Sequence, residues 1–254
     1  MATQMQGRTA LITGASSGLG TRFAKVLASS GANVVLAARR AGRLEELRAD
    51  IEKSGGRAIA VEMDVTDERS VINAYDAAER AFGTVDSVIA NAGMNMEGAA
   101  LEVDAAAVDA IFGVNVRGVF LTIREGARRL AAAGAAERRN GRMVIVSSIT
   151  ATAVTSGLAL YSASKAAVLH LGRVVAREWV NKGINVNVIC PGYIETELTS
   201  DWFQSERGQR HIQQWPRKRL LEAAALDNSV LYLASADSEY VTGAVFTIDD
   251  GQSL

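Results

Sequence analysis

Short apolar runs alternate with longer amphipathic segments along the whole chain. The runs are rich in β-branched residues and almost continuously apolar, which is typical of strands buried on both faces. They span residues 9–13, 33–38, 57–63, 87–91, 142–148, 184–190 and 244–248. The segments between them, such as 18–30 and 41–55, are long enough for crossover helices. The pattern predicts one doubly wound α/β domain over residues 1–254, with a seven-stranded parallel sheet and helices on both faces.

Composition and charge narrow the range of functions. The chain has 254 residues and a formal net charge of -1, which gives no electrostatic footprint for nucleic acid or an anionic membrane. Cys190 is the single cysteine, and no cysteine cluster accompanies His170 and His211, so neither an intrachain disulfide nor a metal site is expected. The sequence also lacks a signal-peptide pattern and any apolar run of the roughly 18 residues that a membrane span needs. We therefore expect a soluble, cytoplasmic protein.

A glycine-rich loop follows the first predicted strand. The sequence "TGASSGLG" places Gly14, Gly18 and Gly20 between a strand and a helix, the context of a dinucleotide-binding loop. Glycine permits the tight turn and lets the backbone approach a pyrophosphate at the helix N-terminus. The spacing Gly-x3-Gly-x-Gly differs from the commoner Gly-x-Gly-x2-Gly, so a plain glycine-rich turn is the alternative for this loop taken alone.

The stretch "YSASK" places Tyr161 four residues before Lys165. On a helix this spacing puts the phenol and the ammonium on one face. A free tyrosine has a pKa of about 10, and a nearby positive charge favours its ionised form. The pair therefore fits proton transfer, and the alternative is an amphipathic tyrosine on an ordinary helix.

Six motifs occur in order along the chain: "TGASSGLG" at 13–20, "ANAG" at 90–93, "NVRG" at 115–118, "SS" at 147–148, "YSASK" at 161–165 and "PGYIET" at 191–196. With these motifs the chain resembles the short-chain dehydrogenase/reductase family over nearly its whole length. The resemblance implies a Rossmann-type domain that transfers a hydride between a nicotinamide cofactor and a small ketone or secondary alcohol. It also implies assembly as a homotetramer or homodimer.

The resemblance assigns four catalytic residues: Asn115, Ser148, Tyr161 and Lys165. Tyr161 would exchange a proton with the substrate oxygen, Ser148 would orient that oxygen, and Lys165 would hold the cofactor ribose. Ser147 competes with Ser148, but neighbouring strand residues point to opposite faces and the thirteen-residue spacing to Tyr161 favours Ser148. Asn115 is interpreted as part of a water-mediated proton relay, or as a buried asparagine that satisfies a helix distortion.

Cofactor choice depends on the end of the second strand. NAD-preferring sites usually carry an acid there, whereas this chain has Ala38 followed by Arg39 and Arg40. Arginine can hold a 2′-phosphate by charge-assisted hydrogen bonds, so we expect NADP(H), with Arg39 as the main contact and NAD(H) as the alternative. In the other interpretation both arginines, and Arg40 in particular, only occupy the solvated start of the next helix.

Other cofactor contacts come from the resemblance. Asp64 and Val65 are assigned to the adenine, although Asp64 also fits a polar turn before a helix capped by Thr66. The complete predicted set is Gly14, Ser16, Ser17, Gly18, Leu19, Gly20, Arg39, Arg40, Asp64, Val65, Asn91, Ala92, Gly93, Tyr161, Lys165, Pro191, Gly192, Ile194 and Thr196.

Residues 197–221 are interpreted as a lid over the active site. Its aromatic residues suggest an apolar inner surface, and its basic residues are Arg207, Arg210, Arg217, Lys218 and Arg219. One hypothesis is a basic rim for a phosphate-bearing acyl group, and the other is an amphipathic lid with a solvated charged face. The predicted substrate contacts are Ser148, Thr150, Tyr161, Tyr193, Met94, Met96 and Trp202.

The leading hypothesis is an NADPH-dependent reductase of free ketones or 3-oxoacyl thioesters. A surface cluster of Arg138, Arg139, Arg142 and Lys182 would suit an acidic acyl carrier, or is simply solvated. An NAD-dependent alcohol dehydrogenase working in the oxidative direction is the alternative. A catalytically silent nucleotide sensor is a third hypothesis, which the presence of Ser148, Tyr161 and Lys165 disfavours.

Overall fold

A computed structural model of the protein describes residues 4–195 and 203–254. Seven strands form a parallel sheet in the order β3-β2-β1-β4-β5-β6-β7. The strands are β1 (Thr9–Thr13), β2 (Asn33–Ala38), β3 (Arg57–Glu62), β4 (Ser87–Ala90), β5 (Gly141–Val146), β6 (Ile184–Pro191) and β7 (Val245–Ile248). Every predicted run overlaps one of these strands, so the predicted seven-stranded parallel sheet is confirmed.

Helices connect the strands as crossovers. In the part of the chain that the structure describes, the α-helices are α1 (Gly18–Ser29), α2 (Ala41–Lys53), α3 (Glu68–Phe82), α4 (Ala105–Phe112), α5 (Val119–Ala132), α6 (Ala135–Arg138), α7 (Ala159–Trp179), α8 (Glu206–Ile212) and α9 (Asp227–Ala234). A π-helical segment, Gly113–Gly118, joins α4 to α5.

Each face of the sheet has its own apolar core. Helices α1, α2 and α9 cover one face, and α3, α5 and α7 cover the other. Alternate residues of β1 belong to the two cores, with Ala10 and Ile12 on the first face and Leu11 on the second. Burial on both faces explains why the strands read as almost continuous apolar runs.

The chain changes its direction of winding between β1 and β4. Open α/β sheets bind their ligands outside the carboxyl ends of the strands at such a point. Thr13 ends β1 there, and its hydroxyl accepts hydrogen bonds from the amides of Asn91 (3.1 Å) and Ala92 (3.0 Å), just beyond β4. These bonds shape the floor of the crevice in which the predicted site residues meet.

One apolar helical stretch runs through α4, the π-helical segment and α5. By length and composition Ala105–Ala132 is able to cross a membrane, and 39% of its most apolar window is buried in the protein. Its residues Ile123 and Leu130 are fully buried in the core beneath the sheet. Core helices of soluble proteins meet the same criteria, so this stretch gives no membrane assignment.

Candidate active site

Three predicted catalytic side chains meet where β5 ends and α7 begins. Ser148 lies two residues beyond β5, and Tyr161 lies in the first turn of α7. Hydrogen bonding with Ser148 favours the ionised form of the Tyr161 phenol, whereas burial disfavours it more strongly. Lys165 follows one turn later on α7, with its Nζ 5.6 Å from the centre of the Tyr161 ring. The structure thus brings together the groups that the sequence singled out for proton transfer.

The two adjacent serines have different partners. Ser147 donates to the carbonyl oxygen of Lys165 (2.8 Å), so its hydroxyl is committed to the α7 backbone. The hydroxyl oxygen of Ser148 accepts from the amide (3.2 Å) and the hydroxyl (3.0 Å) of Thr150. Both donors come from one residue, which leaves the Ser148 proton to point towards Tyr161 or a substrate oxygen. This geometry agrees with the choice of Ser148 over Ser147.

Lys165 is held in a buried position. Its side chain donates to the carbonyl oxygen of Val146 at the end of β5 (3.0 Å), and the residue is 5% exposed. Burial lowers the pKa of Lys165 to about 8 because the ammonium loses hydration that one carbonyl does not replace.

The Tyr161 phenol is not acidic in the protein alone. Burial raises its pKa, hydrogen bonding with Ser148 opposes the rise, and the nearby Tyr193 phenol adds to it. From the sequence we expected Lys165 to lower the pKa of Tyr161. The pKa of Tyr161 is instead raised, because desolvation of the phenolate dominates. Tyr161 is therefore protonated at neutral pH, as a proton donor must be.

Asn115 lies in the π-helical segment between α4 and α5. Its Oδ1 accepts from the amide of Met94 (2.8 Å), and its Nδ2 donates to the Met94 carbonyl (3.0 Å) and to Ser164 Oγ (3.0 Å). The side chain thus ties the loop after β4 to helix α7. A Cβ atom on Gly93 would lie 3.4 Å from both Asn115 Oδ1 and Lys165 Nζ. The predicted helix distortion is present, and the proton relay stays a prediction.

The glycine loop has the geometry of a phosphate cradle. Gly14 has φ +68°, and a Cβ there would lie 2.9 Å from the Cα of Ala92. A Cβ on Gly20 would lie 2.2 Å from the carbonyl oxygen of Gly14, so the first turn of α1 packs directly on the loop. Ser17, the N-cap of α1, makes no side-chain capping bond, which leaves the helix N-terminus available to an anion. These residues fit the pyrophosphate of a dinucleotide.

Comparison with known protein families shows to which family this chain belongs. The sequence profile described as short chain dehydrogenase matches residues 8–207, which is most of the chain. The protein belongs to the short-chain dehydrogenase family.

Individual short-chain dehydrogenases match it over their full length. The 2,5-dichloro-2,5-cyclohexadiene-1,4-diol dehydrogenase LinX of Sphingobium indicum is 34% identical over 254 residues, which cover 100% of this chain and 99% of that protein. The cis-4-hydroxycyclohexanecarboxylate dehydrogenase of Sinomonas cyclohexanicum is 36% identical, with 96% of each chain covered. A crystal structure of a short chain dehydrogenase from Burkholderia cenocepacia J2315 in complex with NADP has a TM-score of 0.90 and 32% identity, over 99% of this chain and 100% of that chain.

The protein is therefore an oxidoreductase that acts on CH–OH groups and binds a nicotinamide cofactor. In this short-chain dehydrogenase the remaining described cofactor residues lie at or just beyond the carboxyl ends of the strands. The glycine-loop residues Ser16, Gly18 and Leu19 lie at the start of α1.

Arg40 lies across the glycine loop. Its Nε donates to Ser16 Oγ (3.0 Å) and its Nη2 to Ser17 Oγ (2.6 Å). The positive charge of Arg39 contributes to the lowered pKa of the Asp64 carboxyl, after the larger effect of the hydrogen bonds from Thr66. Arg39 therefore lies near Asp64. Arg40 is exposed, as expected for the start of a helix, and its side chain also joins the end of β2 to the phosphate cradle.

The loop after β3 is built on an Asp64 turn. Asp64 Oδ1 accepts from the amide (2.8 Å) and the hydroxyl (2.7 Å) of Thr66, and these bonds are the main cause of the lowered pKa of Asp64. Asp67 caps α3 by accepting from the amide of Arg69, so the alternative in which Thr66 is the cap is wrong. Val65 packs against Gly118, where a Cβ would come within 2.6 Å of the valine side chain.

The last motif lies at the end of β6. Pro191 is the final residue of this strand, and the amide of Gly192 donates to the carbonyl of Ile248 at the end of β7 (2.9 Å). Ile194 forms an isolated parallel bridge with Leu221. Thr196 and Trp202, predicted to contact cofactor and substrate, lie outside the described residues.

An aromatic cluster stands beside the catalytic tyrosine. Tyr193 stacks on Trp215, with ring centres 5.1 Å apart, and meets Phe203 edge-on at 5.9 Å. The His211 ring is 5.3 Å from both Tyr193 and Trp215. Phe203 and Trp215 are almost fully buried, so the described part of the lid has the apolar inner surface that was expected. Met94 and Met96, in the loop after β4, are partly buried.

The predicted basic residues are paired with carboxylates only in part. Arg217 and Arg219 both pair with Asp250, at 2.8 and 2.6 Å, and Arg210 pairs with Glu206. In the second basic cluster Arg142 is 2% exposed and donates to backbone carbonyls such as that of Ser235 (3.0 Å), whereas Arg138, Arg139 and Lys182 are exposed. Arg142 therefore does not belong to the predicted surface cluster, and the basic rim stays a prediction.

Sequence reasoning missed several residues that shape the site. Thr13, Thr155 and Gln252 hold its walls through hydrogen bonds to other loops, and the Gln252 Oε1 accepts from the amide of Tyr193 (2.6 Å). Thr13 could have been noticed in the sequence, because it is a polar residue at the carboxyl end of a largely apolar strand. The roles of Thr155 and Gln252 could not be predicted, because their hydrogen-bond partners are remote in the sequence.

Affinity for NADPH is expected to fall roughly three- to tenfold as the pH rises through about 8, where Lys165 loses its charge. The ammonium attracts the anionic dinucleotide, and the neutral amine does not. Quenching of protein fluorescence by NADPH would give the dissociation constant on both sides of this pH. Lys165→Arg keeps its charge and should remove the step; a parallel fall in both proteins would assign the effect to another group.

Proposed function

We propose that the protein transfers a hydride between NADP(H) and a ketone or secondary alcohol on an apolar, ring-sized skeleton. The observation that carries the cofactor assignment is Arg40, which bridges Ser16 and Ser17 while Ala38 stands where an acid would exclude a 2′-phosphate. Arg39 adds a second positive charge beside Asp64. Two guanidinium groups at the end of β2 suit a phosphate monoester better than a pair of ribose hydroxyls.

The cofactor supplies or accepts the hydride at its nicotinamide ring when it is bound. Tyr161 donates its phenolic proton to the carbonyl oxygen during reduction and takes the proton back during oxidation. Ser148, whose oxygen is already engaged by Thr150, presents its proton to the same substrate oxygen and fixes its orientation. The buried Lys165 ammonium stabilises the negative charge that Tyr161 carries after it has given up its proton.

The reductive direction suits the protonation state of Tyr161. Burial raises its pKa, so the proton needed for ketone reduction is present at neutral pH. The oxidative direction is the second candidate, because both named relatives are dehydrogenases of alcohols. In that direction Tyr161 must be ionised, which a positive charge close to the phenol favours.

A ring-shaped substrate is supported by the pocket wall and by the relatives. Tyr193 and Trp215 present stacked aromatic rings, and the two methionines of the loop after β4 adapt to varied apolar shapes. LinX and the Sinomonas enzyme act, by their names, on six-membered rings. The acyl-carrier alternative loses one of its four basic residues with the burial of Arg142.

The proposal is tested by the rate of NADPH oxidation with 4-methylcyclohexanone and with acetoacetyl-CoA, and by the reverse reaction with the cyclic alcohol and NADP⁺. Faster turnover of the cyclic ketone supports a carbonyl reductase of ring substrates. Faster turnover of the thioester would contradict the substrate part of the proposal, and a preference for NADH would contradict the cofactor part.

Replacement of Arg39 or Arg40 by alanine is expected to lower the ratio of kcat/KM for NADPH to that for NADH by about 10- to 100-fold, because charge-assisted hydrogen bonds contribute about 1.5–3 kcal/mol. Steady-state kinetics with both cofactors measure the ratio. Arg48→Ala is the matched control, since Arg48 pairs with Glu45 and Glu52 on α2. An equal loss with both cofactors would mean that the arginines hold the loop without reading the phosphate.

A homotetramer or homodimer in the cytoplasm remains part of the proposal. Phe120 on α5 and Val174 on α7 are 36% and 43% exposed, which supports a covered surface formed by these two helices. The silent-sensor hypothesis finds no support, because the candidate catalytic side chains are present and close together.

A further inference from the structure

The side chain of Gln252 holds the segment that follows β6. Its Oε1 accepts from the amide of Tyr193 (2.6 Å), and its Nε2 donates to the carbonyl of Arg219 (3.1 Å). Gln252 is 9% exposed, and a Cβ atom on Gly192 would lie 2.4 Å from the same Oε1, so the backbone beside Tyr193 packs directly on this amide. One buried side chain thus joins two segments that are remote from it in the sequence.

Asp250 holds the turn that follows Trp215. Its carboxylate accepts from Arg217 Nη1 (2.8 Å) and from Arg219 Nε (2.6 Å). The amide of Lys218 donates to the carbonyl of Trp215 (3.1 Å), which closes the turn between the indole and the two arginines. Both guanidinium groups are mostly exposed, so these ion pairs are expected to contribute less than the buried bonds of Gln252.

The turn that carries both side chains directly follows β7, and we name residues 249–252 the Asp249 turn. Asp249 Oδ1 accepts from the amide of Gly251 (3.0 Å), and its Oδ2 accepts from the amide of Ser253 (2.9 Å). Asp250 has φ +55°, which aspartate tolerates better than most residues. These bonds fix the directions in which the turn presents its side chains.

The Asp249 turn holds both members of the stacked aromatic pair. The rings of Tyr193 and Trp215 lie 5.1 Å apart, with their planes 17° from parallel. Gln252 binds the backbone of the tyrosine, and Asp250 binds the turn after the tryptophan. The relative position of the two rings therefore depends on a single turn beyond β7.

The position of Tyr193 also matters to the start of α7. Its hydroxyl shares a hydrogen bond with Thr155 (3.1 Å), and the carbonyl of Thr155 accepts from the amide of Leu158, the N-cap of α7 (3.4 Å). Tyr161 lies in the first turn of the same helix. A shift of Tyr193 would therefore change the wall of the cleft beside the catalytic tyrosine.

We infer that Gln252 is a positioning residue for substrate binding, which acts through Tyr193 on the aromatic wall of the cleft. The inference rests on the proposed function, in which this wall receives the ring of the substrate. The catalytic groups lie at the end of β5 and on α7, whereas the side chain of Gln252 binds the segments on either side of the aromatic wall. Its loss should therefore weaken substrate binding more than it slows the chemical step.

The first test is Gln252→Met, which keeps the length of the side chain and removes both hydrogen bonds. The KM for 4-methylcyclohexanone at saturating NADPH should rise about three- to thirtyfold, as for one or two neutral hydrogen bonds. The kcat should change by less than about threefold, because substrate affinity is what the aromatic wall supplies. Steady-state oxidation of NADPH measures both quantities.

Hydrogen exchange followed by mass spectrometry gives a readout that needs no turnover. The amide of Tyr193 is protected by Gln252, and the amide of Leu221 by the carbonyl of Tyr193 (2.9 Å). Peptides with these amides should exchange about three- to thirtyfold faster in Gln252→Met, while β5 keeps its wild-type rate. Asp250→Asn keeps a residue that tolerates positive φ, and it should raise the KM by about threefold at most, because its ion pairs are exposed.

Gln4→Met is the matched control, since it makes the same change where the amide bonds to the exposed Asp237 (3.0 Å), after α9. It should leave the KM and the exchange of the Tyr193 amide unchanged. An unchanged KM in Gln252→Met, a fall in kcat as large as the rise in KM, or equally accelerated exchange of β5 would overturn the inference. If the wild type does not turn over the ketone, the proposed reaction is refuted, and wild-type exchange at Tyr193 in Gln252→Met would then refute the role of Gln252 as well.

Discussion

Replacing Tyr161 with phenylalanine is expected to lower kcat for ketone reduction by about 10²- to 10⁴-fold, the usual contribution of a positioned general acid. The ring remains, so packing at the start of α7 is preserved. The lost group is the proton donor, which no other described side chain supplies in the same place. Ser148 can still orient the carbonyl, but a serine hydroxyl is a much weaker acid than a phenol.

Stopped-flow or steady-state oxidation of NADPH measures this loss, and fluorescence titration measures cofactor affinity. That affinity should change by roughly tenfold at most, as for one neutral hydrogen bond. Tyr240→Phe is the matched control, because the same hydroxyl is removed from a side chain that is 89% exposed. A Tyr161→Phe enzyme with more than about a tenth of the wild-type kcat would assign the proton to another donor.

Predictions from the sequence were most accurate where one physical requirement acts on neighbouring residues. Strands buried on both faces are mostly apolar, so β1, β2 and β6 were visible as short, nearly continuous runs, although β6 also buries Asn185 and Asn187. The choice between Ser147 and Ser148 was also local, because adjacent residues at a strand end point in opposite directions.

Arg40 and Arg142 show why other parts of the site were not predictable. Both looked like ordinary surface arginines, yet Arg40 reaches serines more than twenty residues earlier in the chain and Arg142 is buried against carbonyls that follow α9. Whether an arginine is solvated depends on which distant backbone groups the fold brings near it. Local sequence carries no record of those partners, and the same holds for Thr155 and Gln252.

A buried charged cluster lies at the amino ends of the strands, at the opposite edge of the sheet from the active site. Arg8 pairs with Asp86 at 2.9 Å and donates to the carbonyl of Asn140 (2.7 Å), and Ser87 bonds to both charged residues. Burial lowers the pKa of Arg8 and raises that of Asp86, in spite of their mutual attraction. Desolvation of both charges therefore offsets much of the attraction, and the pair matters chiefly because each charge needs the other.

Arg142 adds a second buried cation beside this pair. Burial lowers the pKa of Arg142 to about 10, the charge of Arg8 lowers it further, and the charges of Glu239 and Asp86 act in the opposite direction. Backbone carbonyls from the segment after α9 solvate Arg142. Asp86 is thus the ion-pair partner of Arg8, and together with Glu239 it also favours the charged form of Arg142.

Replacing Asp86 with asparagine is expected to lower the free energy of unfolding by about 3–5 kcal/mol, because it leaves buried cations without their counter-charge. Asparagine keeps the shape and an acceptor for the amide of Thr9, so the loss reports the charge. Urea unfolding followed by fluorescence measures it. Asp50→Asn, which breaks an exposed pair with Lys25, should change the same quantity by at most about 1 kcal/mol. Equal losses in the two variants would contradict this account, whereas partial recovery in an Arg8→Met/Asp86→Leu double variant would support it, since removing both charges also removes their desolvation.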